Sequence, residues 1–221
     1  MKKENKSIPK KLEGVFEEVR SQIILLHGWW DIYRQLFGTS RERIDLLNES
    51  ASTFFRIVQD TLWDGIQLMI IKLSEPAQTR RKKNLSLALI CKIVKELGQK
   101  ELYSSLIKSL SLFIKKSEAF KKHRNKRIVH FDLDTFINER IKHLPGISRK
   151  MIEDALVELR FFMNLVDGFY KGTEMVYDFS FTRDDSEMLI HILKEGLRYE
   201  ELLRERKIDF MDLQKSKYYK V

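Results

Sequence analysis

Apolar residues return along this chain at steps of three and four, the spacing that lays them on one face of a helix. After Pro9, whose missing N–H suits a first helical turn, Leu12, Val15/Phe16, Val19, Ile23, Leu26, Trp30, Tyr33 and Phe37 predict a first helix that Gly38 ends. Thr39 and Glu42 have the form of a capping box for the second. That helix covers residues 41–73 on Ile44, Leu47, Ala51, Phe54/Phe55, Val58, Leu62, Ile66, Met69/Ile70 and Leu73. Short polar side chains at 48–52 compete for backbone hydrogen bonds and mark a break. Ser74-Glu75-Pro76 stops it, because the residue before proline avoids the helical region.

A basic loop over 77–84 then leads to a short helix, capped by Asn84 or Ser86 and closed at Gly98. A long helix over 100–131 carries Leu102, Leu106, Leu110, Phe113 and Phe120. Pro145-Gly146 marks a loop, and Ser148 caps a helix with Ile152, Leu156, Leu159, Phe162/Met163, Val166 and Phe169 on its apolar face. A linker containing Gly172 precedes the last helix, over 185–204, and the tail at 207–221 is expected to be loosely structured. No stretch sustains two-residue alternation; 176–181 comes nearest and is too short and isolated to make a sheet.

The fold class expected is therefore all-α, an antiparallel helical bundle forming one domain over residues 1–206. Composition agrees: 9 Gly and 3 Pro supply little hairpin chemistry, and 43% hydrophobic residues with 14 Phe fill a core. The single cysteine, Cys91, excludes an intrachain disulfide and a multi-cysteine zinc site, and within the apolar run 87–94 it reads as a small buried hydrophobe. There is no H-E-x-x-H, no His–Cys pairing at ligand spacing and no glycine-rich phosphate loop, so no metal and no cofactor is expected. The lysine-rich start predicts no signal peptide, and no run of about 18 apolar residues could cross a membrane. The expected location is the cytoplasm.

Charge changes the picture more than composition does. The net charge is +9, and two segments more than account for it: residues 108–127 sum to +7 and residues 72–83 to +4. Two basic concentrations on a near-neutral background suit a polyanion-binding surface; a solvated helix face with a basic loop is the plainer alternative. The first concentration contains Lys115, Lys116, Lys121, Lys122, Lys126 and Arg127, and the second Arg80, Arg81, Lys82 and Lys83.

Within the first lies the run Lys121-Lys122-His123-Arg124-Asn125-Lys126-Arg127-Ile128-Val129-His130-Phe131-Asp132. Following the inner stripe from Leu106 through Leu110, Phe113, Ser117 and Phe120, Arg124 falls where an apolar residue would continue it. An arginine facing a packed surface needs an anion, either an acid of the protein or a substrate phosphate. His130 lies about 120° further round an ideal helix, so the two converge only if the helix ends or distorts, the arginine uses its length, or a second subunit supplies half of the pocket. The competing reading is a helix C-terminus attracting cations through its partial negative charge.

Arg124-Asn125-Lys126 with His130-Phe131-Asp132 resembles the signature of the HEPN superfamily, in the form found in abortive-infection domains of AbiU type. Leu73-Ser74-Glu75-Pro76 and Asn84-Leu85-Ser86-Leu87 are similar to that group as well, over roughly residues 12–203. Two departures are Val129, where a small residue often precedes the histidine, and Glu75, where Asp is usual; neither is expected to touch the chemistry. The resemblance implies a metal-independent endoribonuclease acting as a homodimer, a toxin or phage-defence effector. His130 would be general acid/base, Arg124 the clamp on the phosphate and Asn125 a positioning residue, with the lysines and arginines named above holding RNA. His123 would be a second histidine or a basic-face bystander, and Asp132 either orients His130 or pairs with a cation. The alternative is a non-catalytic module that binds a nucleotide, a nucleic acid or an antitoxin-like protein partner. A bundle whose charge only confers solubility is the third reading.

Overall fold

A computed structural model describes residues 7–124, 146–178, 183–209 and 211. Six helices among these residues carry the chain: α1 (Lys10–Phe37), α2 (Arg41–Leu73), α3 (Leu87–Glu96), α4 (Lys100–His123), α5 (Arg149–Tyr170) and α6 (Arg183–Arg204). Between α2 and α3 stands a hairpin of two short strands, β1 (Gln78–Thr79) and β2 (Lys82–Lys83). The protein is an all-α bundle. No helix among the described residues is long and apolar enough to cross a membrane. The expected continuation of α4 over 125–131, and all of the tail except 207–209 and 211, lie outside the described residues.

The helix ends follow local chemistry. Ser148 accepts a hydrogen bond from the Met151 amide and caps α5. Gly98, at φ +74°, closes α3: its own N–H donates to the Lys95 carbonyl and that of Gln99 to Val94, the paired bonds of a Schellman motif. Capping between α1 and α2 differs from expectation by one residue. Ser40 receives the Arg43 amide, while the Thr39 hydroxyl turns back onto the carbonyls of Arg34 and Gln35 at the end of α1. The break expected at 48–52 is found at Ala51, whose φ of −163° and ψ of 71° leave the helical region, next to a Ser50 hydroxyl bonded to the Leu46 carbonyl.

Two compact units emerge from the packing, one formed by residues 1–30 and 62–180 and the other by 31–61 and 181–221. In the first, the predicted stripe of α1 is buried from Leu12 through Phe16, Val19, Ile23 and Leu26 to Trp30. Helix α4 packs against α3 and α5, burying Leu106, Phe113 and Phe120 with Leu156, Leu159 and Phe162 of α5. A Cβ added at Gly65 of α2 would collide with the ring of Trp29, so glycine is required by close approach there. In the second unit Tyr33, Phe37, Leu47, Phe55 and Ile190 are buried. Arg43 reaches the Gln35 carbonyl at 2.8 Å and Glu187 at 3.0 Å.

Three features of the first unit's interior are polar or ionisable. Asp167 of α5 is fully buried yet fully engaged: Arg20 Nη2 donates to its Oδ1 at 2.6 Å, the Tyr177 hydroxyl donates to its Oδ2, and Lys171 stands 3.5 Å away. Arg20 also reaches both carboxylate oxygens of Glu17 at 2.8 Å. Burial works against the Arg20 charge, but Tyr177, Asp167 and Glu17 more than offset it and hold the guanidinium above its ordinary pKa. Burial, followed by the bond to Asp167, pushes the Tyr177 phenol up. His27 is buried with no hydrogen-bond partner for Nε2. Burial first and the charge of Arg160 second lower its pKa to about 4. Cys91 is buried, as expected, and burial raises its thiol to about 12, which leaves it unreactive near neutrality.

His27 takes up its proton near pH 4 when folded and near 6.5 when unfolded, so its contribution is complete above pH 6.5 and drains away as pH falls to 4. In His27→Gln, the fall in melting temperature between pH 6.5 and 4 should flatten, by an amount corresponding to at most about 3 kcal/mol. Asp167→Asn leaves Arg20 without its buried counter-charge and should cost roughly 3 kcal/mol in a urea melt, whereas exposed ion pairs such as Arg198–Glu201 should be near neutral when broken.

Candidate functional site

The basic end of α4 meets the turn that follows α2. Three residues of the last turn, Lys121, Lys122 and His123, are basic, and Arg124 sits at the C-cap with helical φ and ψ. Like charges three and four residues apart on a helix repel. Acceptors from the turn at 74–76 relieve this. The Lys121 ammonium donates to the Ser74 carbonyl at 3.4 Å, and Arg124 Nη1 donates to Glu75 Oε1, also at 3.4 Å. The stripe's anomalous arginine is thus partnered by an acid of the protein 49 positions earlier in the chain.

The turn is built to hold Glu75 in place. Ser74 is buried and its hydroxyl bonds back to the Ile71 carbonyl at 2.8 Å, while its amide donates to Ile70 and Ile71 as the helix tightens at its end. Pro76 prevents continuation. Asn84 then ties turn and hairpin together: Nδ2 donates to the Pro76 carbonyl at 2.8 Å and to the Thr79 hydroxyl at 2.7 Å, and its amide donates to Ala77. The loop expected at 77–84 is therefore an ordered hairpin, with Thr79 opposite Lys82. Its lack of apolar alternation hid it from a pattern based on burial. Arg80 at its tip adopts φ +54°, a conformation that favours glycine.

The cations singled out in the sequence divide into distinct surroundings. Arg80, Arg81, Lys82 and Lys83 are all exposed on the hairpin, and Lys115 and Lys122 are exposed on α4. Lys116 instead turns to α5, pairing with Glu158 at 2.8 Å and donating to the Asp154 carbonyl at 3.3 Å. Lys121 and Arg124 face the turn, and His123 is half-buried beside them in the chain. Asn125, Lys126, Arg127, His130 and Asp132 lie outside the described residues. Among the described residues, no three His, Cys, Asp or Glu side chains group so as to hold a metal ion.

Glu75 is the site residue that sequence reasoning missed. Its place as a departure from the family pattern gave no sign of a partner, and the structure puts its carboxylate in contact with Arg124. A signal was present: an arginine on an apolar stripe demands an anion, and Glu75 is the acid of the second basic concentration. The pair is held loosely. Its side chains remain 28% and 32% exposed, and 3.4 Å exceeds the about 2.7–2.9 Å of a strong charge-assisted bond. It contributes about 1 kcal/mol or less to stability.

Segments resembling one family pattern, Leu73-Ser74-Glu75-Pro76, Asn84 and Arg124, thus come together in one place although 52 positions span them in sequence. Residues 9–190 match the family model described as AbiU2, HEPN_AbiU2. No curated protein and no solved structure matches the chain. On a match that spans most of its length, the chain belongs to the AbiU2 family of HEPN domains.

Proposed function

We propose that the protein is a metal-independent endoribonuclease acting in abortive infection, with its active centre at the end of α4. The observation that carries this reading is the meeting of Arg124 with Glu75 beside a hairpin bearing four exposed cations. RNA brings its own nucleophile. The 2′-oxygen attacks the adjacent phosphorus, the bond to the 5′-oxygen breaks, and a 2′,3′-cyclic phosphate remains. Two protons must move, one from the 2′-hydroxyl and one to the leaving oxygen.

His130 moves the protons, imidazole being a side chain that both takes up and gives off a proton near neutral pH. Arg124 meets the non-bridging oxygens as their charge grows, and Asn125 orients the phosphate. The hairpin cations with Lys115, Lys121, Lys122, Lys126 and Arg127 hold the backbone without regard to sequence. His123 and Asp132 stand in supporting roles. A second copy of the chain completes the cleft, and an antitoxin-like protein that covers it would hold the activity in check.

Purified His130→Ala should cut RNA about 100- to 10,000-fold more slowly than wild type while binding it within a few-fold. Arg124→Ala should lose at least roughly 100-fold in rate. Neutralising Arg80, Arg81, Lys82 and Lys83 together should weaken binding and lower the slope of log affinity against log salt by about 3. Full activity in His130→Ala would overturn the assignment. RNA binding without cleavage by wild type would make the protein a binding module, and a monomeric mass in sedimentation would remove the shared cleft.

A further inference from the structure

We infer that Glu75 is a positioning residue for Arg124, its carboxylate setting the orientation in which the guanidinium meets a scissile phosphate. This deepens the ribonuclease reading and rests on it. Three observations lead here. The first is asymmetry between the partners. Glu75 springs from a backbone fixed on both sides, by the buried Ser74 and its bond to Ile71, by Lys121 on the Ser74 carbonyl, and by Asn84 on the Pro76 carbonyl. Arg124 reaches it on a long side chain from the last position of a helix. The short, anchored carboxylate therefore directs the long cation, and not the reverse.

The second is the weakness of the pair as a structural tie. Both groups are about a third exposed and the contact is 3.4 Å long, so the fold gains little from it. Contrast Asp167, fully buried under Arg20 and Tyr177. The third is electrostatic. A surface gathering Lys121, Lys122, Arg124 and the four hairpin cations attracts polyanions, and a carboxylate in its midst opposes that attraction. Glu75 makes sense there if orientation gained in the transition state outweighs attraction lost in the ground state. The contact at Nη1 draws the guanidinium toward the turn and leaves its other nitrogens for a phosphate, and small misplacements of a catalytic group cost large factors in rate.

The consequence is a split that a structural residue would not produce. With full-length protein, Glu75→Gln should bind a non-cleavable 2′-O-methyl RNA oligonucleotide about 3-fold more tightly, yet cleave the unmodified oligonucleotide roughly 30-fold more slowly at saturation. Glu75→Asp, which restores the charge, should recover most of the rate. In the Arg124→Ala background, Glu75→Gln should tighten binding clearly less, because the carboxylate acts on affinity mainly through Arg124. Equal tightening in both backgrounds, or a parallel loss of affinity and rate that Asp does not rescue, would overturn the inference. If wild type binds but never cleaves, the ribonuclease reading falls, and the four-variant affinity cycle alone decides whether Glu75 acts through Arg124.

Discussion

Lys121, Lys122, His123 and Arg124 gather positive charge within one turn at the end of the described part of α4, and the arrangement around them depends on where that charge goes. Lys121 and Arg124 are drawn to the turn after α2, one to a carbonyl and the other to the carboxylate of Glu75. The turn in turn organises the hairpin through Asn84. A continuous set of contacts therefore runs from the C-terminus of α4 to the exposed cations at 80–83. Without the acceptors at 74 and 75, like charges at the helix end would repel with nothing to direct them.

Two arginine–carboxylate contacts of the first unit are opposite in character, one closed to water and one open to it. Arg20 and Asp167 lie in the interior, share Tyr177 as a partner while Glu17 also holds Arg20, and meet at 2.6 Å. Removing one partner there strands a buried charge. Arg124 and Glu75 meet more loosely and in reach of water. A phosphate can compete for the second arginine but not for the first. Charge alone does not make a site; accessibility and looseness of the pairing do.

Most of the fold was legible because amphipathic periodicity determines helices this long. The stripe of α1 is buried at the positions its spacing predicts, and Ser148, Gly98 and the break at Ala51 fall where local chemistry calls for them. What escaped has physical reasons. The hairpin buries nothing in its strands, so no alternation announces it. Arg20 and Asp167 stand beside their apolar stripes and not on them as Arg124 does, so periodicity did not mark them, and only three-dimensional packing reveals that they face each other. Glu75 was visible as the stop of a helix, and its partner, 49 residues on, was not.

The central claim is that this basic helix end cuts RNA with side chains alone. Its most direct measurement is incubation of the purified wild-type chain with RNA in excess EDTA, followed by analysis of the new ends. The account predicts fragments carrying 2′,3′-cyclic phosphates, formed at an undiminished rate. Intact RNA in the presence of folded protein, or cleavage that EDTA abolishes, would contradict it.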